Sequence, residues 1–173
     1  CDNGDIIFDF DEFAKRPLDI KRRLISAAQK WISNQMYRPR LSQVDALINS
    51  LDEKTTFSGS GTICYFHDDS IKITREVNAC VDKIDASDGV IFDRRWKLIT
   101  LENCKDLTIK CLGEDGYTLL EPALRKKIPY KTIIALPALF KDKNLINFPF
   151  TDPVSKFRFI LCKQPFSQFL LDH

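Results

Sequence analysis

At 173 residues, with 44% hydrophobic and 29% charged side chains, the chain has the balance of a globular protein, enough for one domain or two small ones. Six Gly and eight Pro exclude a collagenous or low-complexity chain, and no apolar run approaches the roughly 20 residues that a bilayer-spanning helix needs. The formal net charge of +2 conceals an asymmetry: residues 1–14 carry five acids and no base, residues 15–40 eight bases against Asp19, and residues 125–143 six bases against Asp142. Two cationic stretches on a nearly neutral chain point to a local anionic partner, or else to two solvated faces.

Along the chain, Gly4–Phe10 reads as a short strand, and Phe13 and Pro17 lead into a helix. From Leu18 to Gln35 the period is helical. Ile20, Leu24, Ala27, Ala28 and Trp31 form an apolar stripe, opposite Arg22, Ser26, Gln29 and Ser33, and Arg23 and Lys30 share an edge of the polar side. Pro39 ends this element. Ser42, with Asp45 three residues on, predicts the N-cap of a second helix carrying Val44, Leu47, Ile48 and Leu51. The connection Tyr37–Leu41 makes the pair a helical hairpin with Arg38 and Arg40 exposed.

Thr55–Tyr65 and Ile71–Arg75 are rich in β-branched and aromatic residues and predict a β-hairpin turning at His67–Ser70, with Gly59 and Gly61 marking a bulge or a close backbone approach. The polar stretch Asn78–Gly89 is the expected boundary. Beyond it, Val90–Phe92, Trp96–Leu101 and Leu107–Cys111 read as strands, Leu112–Tyr117 as a turn, and Leu119–Lys127 as a helix with a basic end. Lys131–Leu136 reads as a helical turn between prolines, and Leu145–Phe148 and Phe157–Leu161 as closing strands. The expected fold class is α+β: a helical hairpin with a β-hairpin over residues 1–80, followed over residues 85–173 by a small mixed β-rich unit with short helices.

No complete catalytic site is legible. Cys64 and His67 lie three apart on a strand and face opposite ways. Asp68-Asp69 is turn chemistry, and Asp9/Asp11/Glu12 lacks the spacing of a calcium loop. Ser58–Gly61 has no helix after it to cradle a phosphate. The cysteines (1, 64, 80, 104, 111, 162) are irregularly spaced and form no zinc knuckle, so free thiols, mostly buried, are expected and no metal. The start is Asp-rich and unlike a secretory leader, so a cytoplasmic location is expected. The chain opens on Cys1 and its one methionine is Met36, which reads as a piece of something longer.

The remaining candidates are the bases. Arg22, Arg23, Lys30, Arg38 and Arg40, with Arg125, Lys126, Lys127 and Lys131, could form two jaws around an RNA backbone, and Trp96 or Tyr130 could stack on a base. Other readings are a protein-interaction or homo-oligomerising module using the aromatic stretch Phe148–Phe169, and a thiol hydrolase built on Cys64.

The order of several segments resembles the C-terminal region of the bacterial tRNA(Ile)-lysidine synthases. The carrying pieces are Pro17–Leu24, Phe57–Gly61, Ile71–Glu76, Phe92–Trp96, Leu112–Tyr117, and Ile128-Pro129 through Leu136–Phe140 to Leu145–Pro149. The resemblance implies an enzyme that uses ATP to adenylylate C2 of the wobble cytidine of tRNA(Ile), with lysine then displacing AMP. In that family the chemistry sits in an N-terminal PP-loop domain with a Ser-Gly-Gly-x-Asp-Ser loop, which no segment here matches. The resemblance therefore implies a tRNA-binding portion without cofactor of its own, ATP and Mg being held by the missing domain. It also places Arg22, Arg23 and Lys30 on the family's basic helix. Where the family often has arginine before its Leu-Pro dipeptide, this chain has Ile133 and Ala135, and Lys126, Lys127 or Lys131 would have to compensate.

Overall fold

The computed structural model describes residues 2–150 and 154–172. In chain order the elements are β1 (Ile6–Asp9), α1 (Phe10–Ala14), α2 (Leu18–Ser33), α3 (Leu41–Asp52), β2 (Phe57–Gly59), β3 (Thr62–His67) and β4 (Ser70–Arg75). A 3-10 turn at Val77–Ala79 precedes β5 (Lys83–Asp85), β6 (Ile91–Phe92), β7 (Trp96–Thr100) and β8 (Leu107–Cys111). Then come α4 (Gly113–Leu119), α5 (Pro122–Lys127), α6 (Tyr130–Ile133), β9 (Pro137–Lys141), β10 (Asn144–Asn147), β11 (Phe157–Leu161) and α7 (Phe166–Leu171). The class is α+β, with antiparallel sheets throughout. The chain divides into one unit of Cys1–Ala79 with Gln164–His173 and another of Cys80–Lys163. The tail that sequence reasoning assigned to the later unit thus belongs with the earlier one.

In the first unit a sheet of order β1-β4-β3-β2 is packed by α2, which also packs on α3. Alternation along β4 turns Ile71 and Ile73 into the core, where they are fully buried with Ile25, Ile32 and Leu47 from the helices. The two hairpin turns need left-handed backbone at both central residues, and Ser60-Gly61 and Asp68-Asp69 supply it. Gly59 pairs in register with Thr62, so it marks no bulge. Gly61 is the close approach: a Cβ there would press on the Arg75 guanidinium, which donates to the Gly61 carbonyl. The tail closes this unit. Trp31 Nε1 donates to the Gln164 carbonyl at 3.0 Å, and the Phe166 ring meets Phe8 and Trp31 edge-on.

In the second unit the sheets β10-β9-β8-β5 and β11-β7-β6 share a core. Phe92 and Leu98 from one sheet pack with Leu107, Ile109 and Leu139 of the other. Residues 132–140 are buried without interruption, because β9 lies between β8 and β10 and follows a buried helical turn.

Several local expectations are corrected. Leu112–Tyr117 is no turn: α4 begins at Gly113, and buried Gly116 lets the helix sit against Leu112 and Phe140. The helix expected over Leu119–Lys127 breaks at Leu120-Glu121, since the residue before Pro122 is driven to extended backbone and α5 starts afresh. The Lys131–Leu136 turn is shorter, Tyr130–Ile133, and β9 follows it. Ser42 does not cap α3, which starts at Leu41 behind Arg40 with no side-chain cap bond.

Candidate nucleic-acid interface

On α2, positions 23, 26, 27 and 30 are spaced three, four and seven apart and therefore share one face. In the structure Arg23, Ser26, Ala27 and Lys30 line a cleft of about 60 Å³, joined by Arg38 from the helix connection and by Phe169 and Leu170 of α7. One wall is cationic and hydroxyl-bearing; the other is apolar. Arg40 is exposed on the same connection but does not line the cleft.

Arg22, one residue from Arg23, is engaged elsewhere. Its Nε and Nη2 donate to the two carboxylate oxygens of Asp45 on α3, at 2.7 and 2.9 Å. This fork-to-fork bond pushes the guanidinium further above its ordinary value and holds the Asp45 carboxyl below the usual carboxylate range. Asp45 thus joins the two helices where a capping role was expected. Gln29, expected on the polar side, is fully buried: its Nε2 donates to the Gly59 carbonyl and to Thr62 Oγ1, both at 3.2 Å.

In the second unit the bases are used differently. Arg125 donates from Nε to the Leu120 carbonyl at 2.9 Å and from Nη2 to that of Thr118 at 3.3 Å, and lies 5.5 Å from the Tyr117 ring centre. It satisfies the carbonyls left open where α4 breaks. Lys126 and Lys127 are exposed at the end of α5, where a negative helix end favours them, and Lys131 is half-buried. Tyr130 packs edge-on to Tyr117 and donates to Glu114 at 3.1 Å; burial, with that hydrogen bond, pushes its hydroxyl above its ordinary value. Trp96 is buried and offers no stacking face, and Ile133 and Ala135 are buried too, so no contact with RNA can be made at those positions.

The other clusters carry less. Cys64 is 0% exposed and cannot attack a substrate from there. His67 Nδ1 lies 2.7 Å from the neighbouring Asp68 carboxylate. Asp9 caps α1 through the Glu12 N–H, and Glu12 pairs with Lys15 and Arg16, which accounts for the first acidic cluster. Lys163 is pushed down to about 8, mainly by burial and further by Arg95, with Asp93 opposing. The described cysteines are free thiols, of which Cys64 is fully buried and Cys162 exposed. Among the described residues no group of three or more His, Cys, Asp or Glu is placed to hold a metal, and no helix is long and apolar enough to cross a membrane.

Sequence reasoning missed Phe169 and Leu170. The stretch Phe148–Phe169, which stops short of Leu170, is expected from sequence as an interaction surface, whereas Phe148 is buried, Phe157 and Phe159 pack against the second unit's core, and Phe166 fills the first.

No family model and no solved structure matches the chain. Among curated proteins, a tRNA(Ile)-lysidine synthase of Ruegeria pomeroyi is 26% identical over 148 residues. The chain is similar to this synthase. The match covers 86% of the chain and 35% of the relative, so the chain spans about a third of that relative's length. The resemblance carried by the order of segments thus recurs as similarity over most of the chain.

Proposed function

We propose that this chain is the tRNA-holding portion of a tRNA(Ile)-lysidine synthase. It grips tRNA(Ile) so that an N-terminal PP-loop domain outside these residues, with its ATP and Mg, can join lysine to C2 of the wobble cytidine in the cytoplasm. The observation that carries this reading is the 26% identity over 86% of the chain to a tRNA(Ile)-lysidine synthase. The grouping of Arg23, Lys30 and Arg38 around a cleft supports it, because phosphate-contacting cations set register on RNA without reading sequence. Arg40, Lys126, Lys127 and Lys131 extend the cationic surface of their own units, while Arg22 and Arg125 act by holding the scaffold. No step of the ligation is assigned to a residue of this chain. Its contribution is positioning, where a misplacement of about 1 Å can cost roughly a hundredfold in rate.

The test is fluorescence anisotropy of a labelled tRNA(Ile) transcript with the 173-residue chain across a KCl series. Saturable binding that weakens linearly in log K against log salt is the expected result. Absence of binding at low salt, with self-association in sedimentation, would instead favour the oligomerisation module.

A further inference from the structure

We infer that the cleft between α2 and α7 is a seat for one RNA backbone phosphodiester, and that the C-terminal helix completes it. This rests on the tRNA-holding reading and adds to it the ligand group, the stoichiometry and the part played by α7.

Size is the first argument. About 60 Å³ is far below the ~300 Å³ at which small-molecule pockets begin, and it is room enough for a tetrahedral anion.

The lining is the second. The polar side chains of the cleft are all donors: two guanidinium forks from Arg23 and Arg38, the Lys30 ammonium and the Ser26 hydroxyl. Among the described residues no carboxylate lines the cleft; Asp19, one turn before Arg23, and Asp172, two residues past Leu170, are the acids nearest its lining along the two helices. Such a set suits an acceptor-only group with several oxygens.

The apolar wall is the third. Phe169 and Leu170 are half-buried opposite the cations. They keep water from one side of the anion, which strengthens its attraction to the charges, and they offer a surface for ribose carbons. Inorganic phosphate has no such carbons, so a diester uses the whole site and a free anion half of it.

α7 is held in place independently of the cleft, by Phe166 against Phe8 and Trp31 and by the Trp31–Gln164 bond. The wall is therefore built before any ligand arrives.

Stoichiometry gives the test. In the tRNA salt series, Arg23→Gln and Arg38→Gln should each lower the salt slope by about one and weaken binding roughly tenfold at moderate salt. The double variant should lose about one in slope as well, because one phosphate is served by both. A loss of about two would mean separate phosphates and overturn the single seat. Phe169→Glu should mimic the arginine variants. Since it could also loosen the unit, its far-UV and tryptophan spectra are compared with those of the parent, and Arg38→Gln on the exposed connection provides the same reading without that risk.

A dinucleotide with one internal phosphate should shift the Ser26 and Lys30 amides and the Phe169 ring in NMR spectra. Inorganic phosphate should move the amides alone, and equal shifts would overturn the diester assignment. Wild-type chain that fails to bind tRNA at any salt sinks the underlying reading. Binding that is unchanged in all these variants sinks the seat and leaves that reading standing.

Discussion

The two units treat their positive charges in opposite ways. In the first, a bidentate bond to Asp45 uses Arg22, and three neighbouring cations are arranged around a concave, half-apolar cleft. In the second, Arg125 is used on backbone carbonyls, Lys110 lies 4.6 Å from the Phe140 ring centre, and Lys126 and Lys127 point into solvent from a short helix end. Runs of arginine and lysine that look alike in sequence therefore differ in what they can offer a ligand. An anion site needs concavity and a low-dielectric wall as well as charge, and among the described residues the first unit shows both together.

The contrast can be broken or sharpened by experiment. The largest effect should come from the scaffold that supports the cleft. Leu47→Ala removes a fully buried side chain of α3 and should cost about 2–5 kcal/mol. Each unit carries one tryptophan, Trp31 or Trp96, so urea unfolding in a Trp96→Phe background reports the first unit alone. A change below about 0.5 kcal/mol would contradict the burial of Leu47.

Next, Arg22 and its neighbour should part company in RNA binding. Arg23→Gln should lower the tRNA salt slope by about one, while Arg22→Gln should leave the slope and cost stability instead. Equal slopes in the two variants would erase the distinction drawn from the Asp45 bond.

In the second unit, Arg125→Ala should destabilise by about 1 kcal/mol through the lost carbonyl bonds. Lys126→Ala and Lys127→Ala should stay within about 0.5 kcal/mol. Chemical denaturation followed at Trp96 in a Trp31→Phe background measures all three.

Two further effects lie in pH dependence, and they run at opposite ends of the scale. Lys163 titrates at about 8 in the folded chain and near its ordinary value when unfolded. Between those values the unfolded state binds more protons, so stability should rise with pH from about 8 to about 10.5, and Lys163→Met should flatten that rise. The Asp45 carboxyl is depressed in the folded chain, so its contribution is present above its unfolded value and lost as pH falls below about 4. Asp45→Asn should lose that acid limb; denaturation midpoints across pH show either outcome.

Much of the framework was legible because it is written in local periods and local turn chemistry. The α2–α3 hairpin follows from apolar spacing, and the β3–β4 hairpin from β-branched runs around Asp68-Asp69. What escaped depends on partners distant in sequence. Gln29 belongs to the core only because Gly59 and Thr62 meet it, and Asp45 is a helix-joining acid only because Arg22 faces it. Strand β5 is three residues long with only Ile84 turned inward, so it shows almost no alternation. Strand β9 shows none, because both its faces are covered. The charged members of the cleft could be named from composition, and the helical spacing of Arg23, Ser26 and Lys30 was available to group them. Phe169 and Leu170 could not be added without knowing where the tail returns.

That return has a bearing on synthesis. Gln164–His173 leaves the ribosome only after Cys80–Lys163 has emerged, a delay of several seconds at about 5–20 residues per second. Until then the Gln164 carbonyl is not there to accept from Trp31 Nε1, and Phe8 and Trp31 await the Phe166 ring. The nascent polypeptide therefore passes through an interval in which the earlier half is sticky and the later half can already condense. Holdase chaperones should favour ribosome-bound chains arrested in that window over released ones.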